Sequence, residues 1–138
     1  MIKMDQKGQI SVEVILILSI MFVIVILVGP YVAEQNEFNT VLTAAKSGAI
    51  NVMTINSTIT ASQPLRVDNI QLVGSGYNRT IQIDISGQIS PAQNQSIMNG
   101  TLSSIAALGY NWTTSGTPND FSDDYISTSR HKYVLSII

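Results

Sequence analysis

The run VILILSIMFVIVILV at residues 14–28 is the feature that every fold of this chain must accommodate. Thirteen of its fifteen residues are Ile, Leu, Val or Phe, and the other two are Ser19 and Met21. At roughly −0.3 to −0.6 kcal/mol each, those thirteen favour a bilayer over water by about 4 to 8 kcal/mol. Such a segment needs apolar cover. Continued as a helix to Val32, it supplies the roughly 20 residues that cross about 30 Å of hydrocarbon at about 1.5 Å per residue. A transmembrane segment is expected at about 12–32.

The residues before the run are MIKMDQKG, with Lys3, Asp5 and Lys7, and no Ala-x-Ala pattern follows it. A secretory signal peptide would be removed at such a pattern, so the apolar segment is expected to be kept. Lys7 is followed by Gly8 and Gln9, then by Ser11 and Glu13 at two-residue intervals, and directly by the apolar run. Over residues 1–33 this resembles the cleavage region of archaeal type IV pilins with a class III signal peptide, which a prepilin peptidase cuts between Gly and Gln. The small, Gly-rich start more usual in archaellins is not present. The resemblance implies removal of residues 1–8, a mature N-terminus at Gln9, and Glu13 as the family's acidic residue near the start of the mature helix. A carboxylate at the edge of an apolar segment is costly to bury unless paired. Its implied partner is the α-amino group of Gln9 on a neighbouring subunit. The alternatives are a Glu13 resting among lipid headgroups, and hydrogen-bond partners in place of the amine if Gln9 cyclises.

Beyond the apolar run, Phe38, Val41, Leu42, Ala45, Ala49, Val52 and Met53 recur at helical spacing, whereas Glu34, Glu37, Thr40, Thr43, Lys46, Ser47 and Asn51 fall largely elsewhere. The spacing predicts one helix from about 10 to 53, roughly 66 Å long, apolar all round at first and amphipathic afterwards. Gly29-Pro30 lies where the halves join. A proline there removes one backbone hydrogen bond, at about 3 kcal/mol in water. A kink or a locally melted turn is therefore expected, with separate helices on either side of Pro30 as the alternative.

Residues 54–138 read as a β-rich head. TINSTITASQP is polar and ends at Pro64. Residues 65–73 have strand composition, but Val67 and Ile70 cannot share a face of a regular strand, so a bulge near Asn69 is expected. Gly74-Ser75-Gly76 suits a hairpin loop, and in the next strand Ile81, Ile83 and Ile85 alternate with polar residues. Ser90-Pro91-Ala92-Gln93 carries the N-cap, first-position proline and capping-box glutamine of a helix start. That helix is expected to reach about Leu108, with Ile97, Met98, Leu102, Ile105 and Leu108 on its buried face and Gly109 as the stop. Residues 111–129 read as a long surface loop or irregular edge, and Tyr133, Leu135 and Ile137 mark a last strand. The fold class is α+β: a long N-terminal helix, then a small head built on an antiparallel sheet with one short helix.

Five N-x-S/T sequons begin at Asn56, Asn78, Asn94, Asn99 and Asn111, all beyond the stem. Seven Asn and 21 Ser or Thr in the last 83 residues would give about two by chance. The surplus points to a glycosylated outer surface, against the alternative that polar loops generate such triplets freely. Helical geometry places Asn99 away from the apolar face but Asn94 near its middle, which makes Asn94 the weakest candidate.

Charged residues are 12% of the chain and the net charge is −2. Without residues 1–8 it becomes −3, from five basic and eight acidic residues. That excludes the clustered Lys and Arg of a nucleic-acid footprint. There is no cysteine, hence no disulfide and no thiolate metal site. The single histidine, His131, is expected to be exposed and inert. Asn119, Asp120, Asp123 and Asp124 lack the spacing of a calcium loop, and Tyr110, Trp112, Phe121 and Tyr125 suit loop anchors better than an adhesive patch. No catalytic constellation, cofactor motif or metal motif is present, and the chain is not expected to be an enzyme.

Together these features lead us to expect a structural subunit of an archaeal type IV pilus, held in the membrane as a prepilin and then assembled with copies of itself into an extracellular filament for adhesion or surface attachment. The partners that the resemblance implies are the prepilin peptidase, an assembly ATPase and its membrane platform. The alternative is a processed but non-polymerising single-pass surface glycoprotein, or a minor pilin-like component of an export machine.

Overall fold

The computed structural model describes the backbone of residues 6–60, 65–114 and 124–138, with side chains for all of these except 6–10 and 56–60. Pro64, Asn119, Asp120, Phe121 and Asp123 lie outside the described residues. The first helix, α1, runs Gln6–Thr60. Five strands and a second helix follow in the order β1 (Arg66–Val73), β2 (Asn78–Ser86), α2 (Pro91–Ala106), β3 (Asn111–Thr113), β4 (Tyr125–Ser127) and β5 (Lys132–Ile137). The chain divides into two units, Met1–Glu37 and Phe38–Ile138.

The first unit is helix. Its side chains from residue 11 to residue 32 are exposed throughout, and among them Leu27 and Ile26 are about 70% accessible (71% and 70%). The helix is not interrupted at Pro30, so the expected melted turn and the alternative of two helices are both corrected. Pro30 forfeits one donor, and the ladder resumes because the flanking residues keep theirs. Ser19, the polar residue in the apolar run, donates its hydroxyl to the Ile15 carbonyl at 2.7 Å. Its hydroxyl therefore presents no unpaired donor to an apolar surrounding.

The second unit is a two-layer head. Val41, Ala45, Ala49 and Met53 of α1 are buried at helical spacing, and Leu42 and Val52 pack beside them. The helix runs seven residues further than the expected end at Met53. Residues 54–60 are mostly Thr, Ser, Ile and Asn, whose helix propensities fall short of Ala by at most about 0.7 kcal/mol each. Continuing the hydrogen-bond ladder offsets that deficit, and Thr54 adds a bond from its hydroxyl to the Ile50 carbonyl at 2.8 Å.

β1 and β2 form the expected hairpin, with Gly74 and Gly76 at positive φ (101° and 71°) in the loop. The pairing register shifts between Val67 and Asn69, and this bulge brings Val67, Ile70 and Leu72 to one half-buried face. Ile81, Ile83 and Ile85 of β2 are buried. The sheet order is β1-β2-β5-β4-β3. β5 runs parallel to β2 and antiparallel to β4, so the sheet is mixed and the antiparallel expectation is corrected. The reason is topological: β2 is followed by α2, and a helical crossover is what allows a later strand to lie parallel beside an earlier one. β3 and β4 occur where a loop was expected. Each has three residues, too short for alternation to register in the sequence.

α2 begins as its sequence dictates. Gln93 N donates to Ser90 Oγ at 3.3 Å and Ser90 N donates to Gln93 Oε1 at 2.9 Å. Ile97, Met98, Leu102 and Ile105 are buried, together with Thr101. Leu108, expected on that face, is 44% exposed. The helix ends at Ala106, and the tightened turn of Leu108 N to Ile105 O and Gly109 N to Ala106 O carries Leu108 off the buried stripe.

Glycine in α2 costs about 1 kcal/mol relative to alanine, and the packing of α1 explains Gly100. A Cβ built on Gly100 would stand 2.1 Å from Val52 Cγ2, and one on Gly48 would stand 2.6 Å from the Gly100 carbonyl oxygen and 2.8 Å from Ser104 Cβ. The two helices meet backbone to backbone. Gly48→Val is therefore expected to lower head stability by about 1–3 kcal/mol through overpacking, read as a fall in the thermal midpoint of the full chain in detergent. Ser47→Val, one residue away on the exposed side, is the control; equal midpoints for the two variants would contradict this account of the crossing.

Candidate assembly stem and surface sequons

The candidate site is the first half of α1 with the residues that precede it. Gly8 and Gln9 lie in the helical backbone near the start of α1, and Glu13 is exposed two residues after Ser11. On the described helix nothing covers this region: an 18-residue window of mean hydropathy 3.0 within Ser11–Ile55 is 0% buried. The helix is long and apolar enough to cross a membrane. Gly29 is equally open, with no atom within 4 Å of a Cβ built on it. Among the described residues none is placed as a charge partner for Glu13.

The sequons fall on the head in distinct settings. Asn78 opens β2, Asn94 and Asn99 sit on α2, and Asn111 opens β3; all four side chains are exposed. Asn94 was expected near the middle of the apolar face of α2, and that placement is corrected. Burial on α2 begins at Ile97, so Asn94 lies in a first turn that precedes the core. Asn56 lies in the helical backbone of α1, and its side chain is outside those described.

His131 is 6% exposed, contrary to the expectation of a surface residue. It shares the parity of Tyr133 and Leu135, which puts it on the core face where β5 begins. Its ring packs on Phe38 and Tyr133, with centroids 4.9 and 5.9 Å away. Arg79 sits over the same Phe38 ring at 4.9 Å and donates to the Gly74 carbonyl. This cluster ties the hairpin loop to the start of α1 in the head; the positions are engaged in packing. Asp124 is 4% exposed rather than part of a solvated loop. Tyr110 and Trp112 pack against the core, as loop anchors would, and Lys132 Nζ lies 3.8 Å over the Tyr125 ring. Among the described residues no group of three or more His, Asp or Glu side chains gathers to hold a metal.

No family model, curated protein or solved structure matches this chain.

The apolar run sets its own limit. One Lys at the centre of a spanning helix costs roughly 2.5 to 3.5 kcal/mol, and two cost about 5 to 7 against the 4 to 8 the run supplies. Three Lys cost about 7.5 to 10.5 kcal/mol, more than the about 3 to 7 kcal/mol left once two of the thirteen apolar residues are replaced. Met21→Lys is thus expected to remain in the membrane fraction after alkaline carbonate extraction, whereas Leu18→Lys with Met21→Lys and Val25→Lys is released. Release of the wild-type chain by carbonate would contradict a spanning stem.

Proposed function

We propose that this chain is the structural subunit of an archaeal type IV pilus. The observation that carries the reading is the uncovered apolar half of α1, which directly follows the Lys7-Gly8-Gln9 and Glu13 pattern and continues into a helix that forms part of a folded head. An apolar helix face with no cover in its own chain must find it in lipid or in other apolar helices. A helix that anchors a head from one end suits both surroundings in turn.

In this reading a prepilin peptidase removes residues 1–8 while residues 12–32 hold the chain in the membrane. An assembly ATPase and its membrane platform then transfer the stem out of lipid into a bundle of stems from other copies. The free-energy cost of leaving lipid is offset because the same apolar surface is buried again. Glu13, charged and exposed near the start of the run, sets the depth of each incoming helix by pairing with the new α-amino group of Gln9 on a neighbour. Heads bearing glycans form the outer surface of the filament and serve adhesion or attachment. Neither a cofactor nor a catalytic step enters this scheme.

Mass spectrometry of the protein sheared from the cell surface tests it: the mature chain starts at Gln9, with or without cyclisation. A first residue other than Gln9 would remove the basis for the family reading. Glu13→Ala is expected to be cleaved normally yet to lower the yield of filaments at least about tenfold, consistent with a desolvated ion pair of a few kcal/mol. Wild-type filament yield from that variant would rule out the pairing role.

A further inference from the structure

Exposure of an asparagine does not by itself make a sequon usable, because a transferring enzyme engages the Asn amide and the hydroxyl two residues later together. In a helix, residues i and i+2 point about 200° apart around the axis. In a strand they point to the same face, about 7 Å apart. The secondary structure at each sequon therefore decides what the folded head offers.

Asn94-Gln95-Ser96 and Asn99-Gly100-Thr101 both lie within α2. Thr101 is 0% exposed, with its hydroxyl buried and without a hydrogen-bond partner among the described residues. Asn78-Arg79-Thr80 is extended, but β2 is an inner strand: Thr80 pairs with Val73 on one side and Val134 on the other, and its side chain is half-buried. Asn111-Trp112-Thr113 has none of these obstacles. It is extended, Asn111 and Thr113 are exposed on the same face, and among the described residues β3 is the last strand of the sheet, paired with β4 alone. Trp112 between them packs toward the core and holds the strand in that presentation.

We propose that Asn111 is the acceptor, among the four sequons with described side chains, that the folded head presents for N-glycosylation, and that Asn78, Asn94 and Asn99 accept a glycan only before the head folds. In the transfer, Asn111 Nδ2 bonds to the anomeric carbon of a polyprenyl-diphosphate-linked oligosaccharide. The bond from that carbon to the phosphate oxygen breaks, polyprenyl diphosphate leaves with the electron pair, and one amide proton passes to a base. The biological order rests on the reading above that the head faces the exterior; the acceptor chemistry does not.

The test uses the full chain twice, with membranes that contain an oligosaccharyltransferase and a polyprenyl-diphosphate-linked oligosaccharide. In one arm the purified, unmodified and folded chain in detergent is added to them; in the other the chain is synthesised and translocated in their presence. Peptide mapping is expected to find at least about tenfold more glycan on Asn111 than on Asn78, Asn94 or Asn99 in the folded arm, and additional occupied sequons in the other. Thr113→Ala should abolish Asn111 occupancy while leaving the thermal midpoint of the head unchanged. Comparable occupancy of Asn94 or Asn99 in the folded chain would overturn the proposal, as would a folded Asn111 left bare when the translocated chain carries glycan there. Absence of glycan from both arms would also overturn it, and would leave the reading of the stem, which rests on the mature N-terminus, untouched.

Discussion

The surface of α1 from residue 11 to residue 32 depends on something outside the chain. A globular domain buries its apolar residues within itself, and here the most apolar stretch is 0% buried while small residues such as Ala45 and Ala49 are fully enclosed. The two halves of one helix thus obey different solvents. The first is suited to hydrocarbon or to other helices like itself; the second is suited to a sheet. Glu13 is exposed near the mouth of the first half, and a carboxylate drawn further into an apolar surrounding loses its hydration unless it gains a partner.

The head follows from the need to seat the second half of that helix. Val41, Ala45, Ala49 and Met53 share one buried core with the isoleucines of β2, and Gly48 against Gly100 lets α2 approach α1 closely beside it. With no disulfide available, this packing has to hold the head together. The Phe38, His131, Tyr133 and Arg79 cluster fastens the hairpin loop to the start of the helical seat. Exposed polar positions, the described sequon asparagines among them, are left on the outer surfaces, and the sequon at Asn111 falls on β3, the last strand in the sheet order.

Features governed by local chemistry were legible in the sequence. The capping box of α2, the hairpin glycines, the bulge in β1 and the buried isoleucines of β2 each depend on a few neighbouring residues, and each is where its residues placed it. Features governed by partners far along the chain were not. Alternation at Tyr133 and Leu135 marks a strand but says nothing of its direction, which the crossover through α2 decides. The three-residue strands β3 and β4 have no period to read. Gly100 is a costly residue inside a helix, and only the approach of Gly48 and Val52, far along the chain, accounts for it. The burial of His131 was available from its parity with Tyr133 and was missed because a single histidine beside Lys132 looked like surface. In the stem, the apolar helix was legible, since it is a matter of composition and order; what covers the run is not encoded locally at all.

The central claim is that the stem exchanges lipid for copies of itself. The chain has no cysteine, so Val25→Cys places a single thiol in the middle of the apolar run. In sheared extracellular filaments the account predicts that this thiol is shielded from a water-soluble maleimide and forms cross-links between subunits on oxidation. A thiol that labels freely in extracellular material, or a protein found only in the membrane with no cross-linked species, would contradict it.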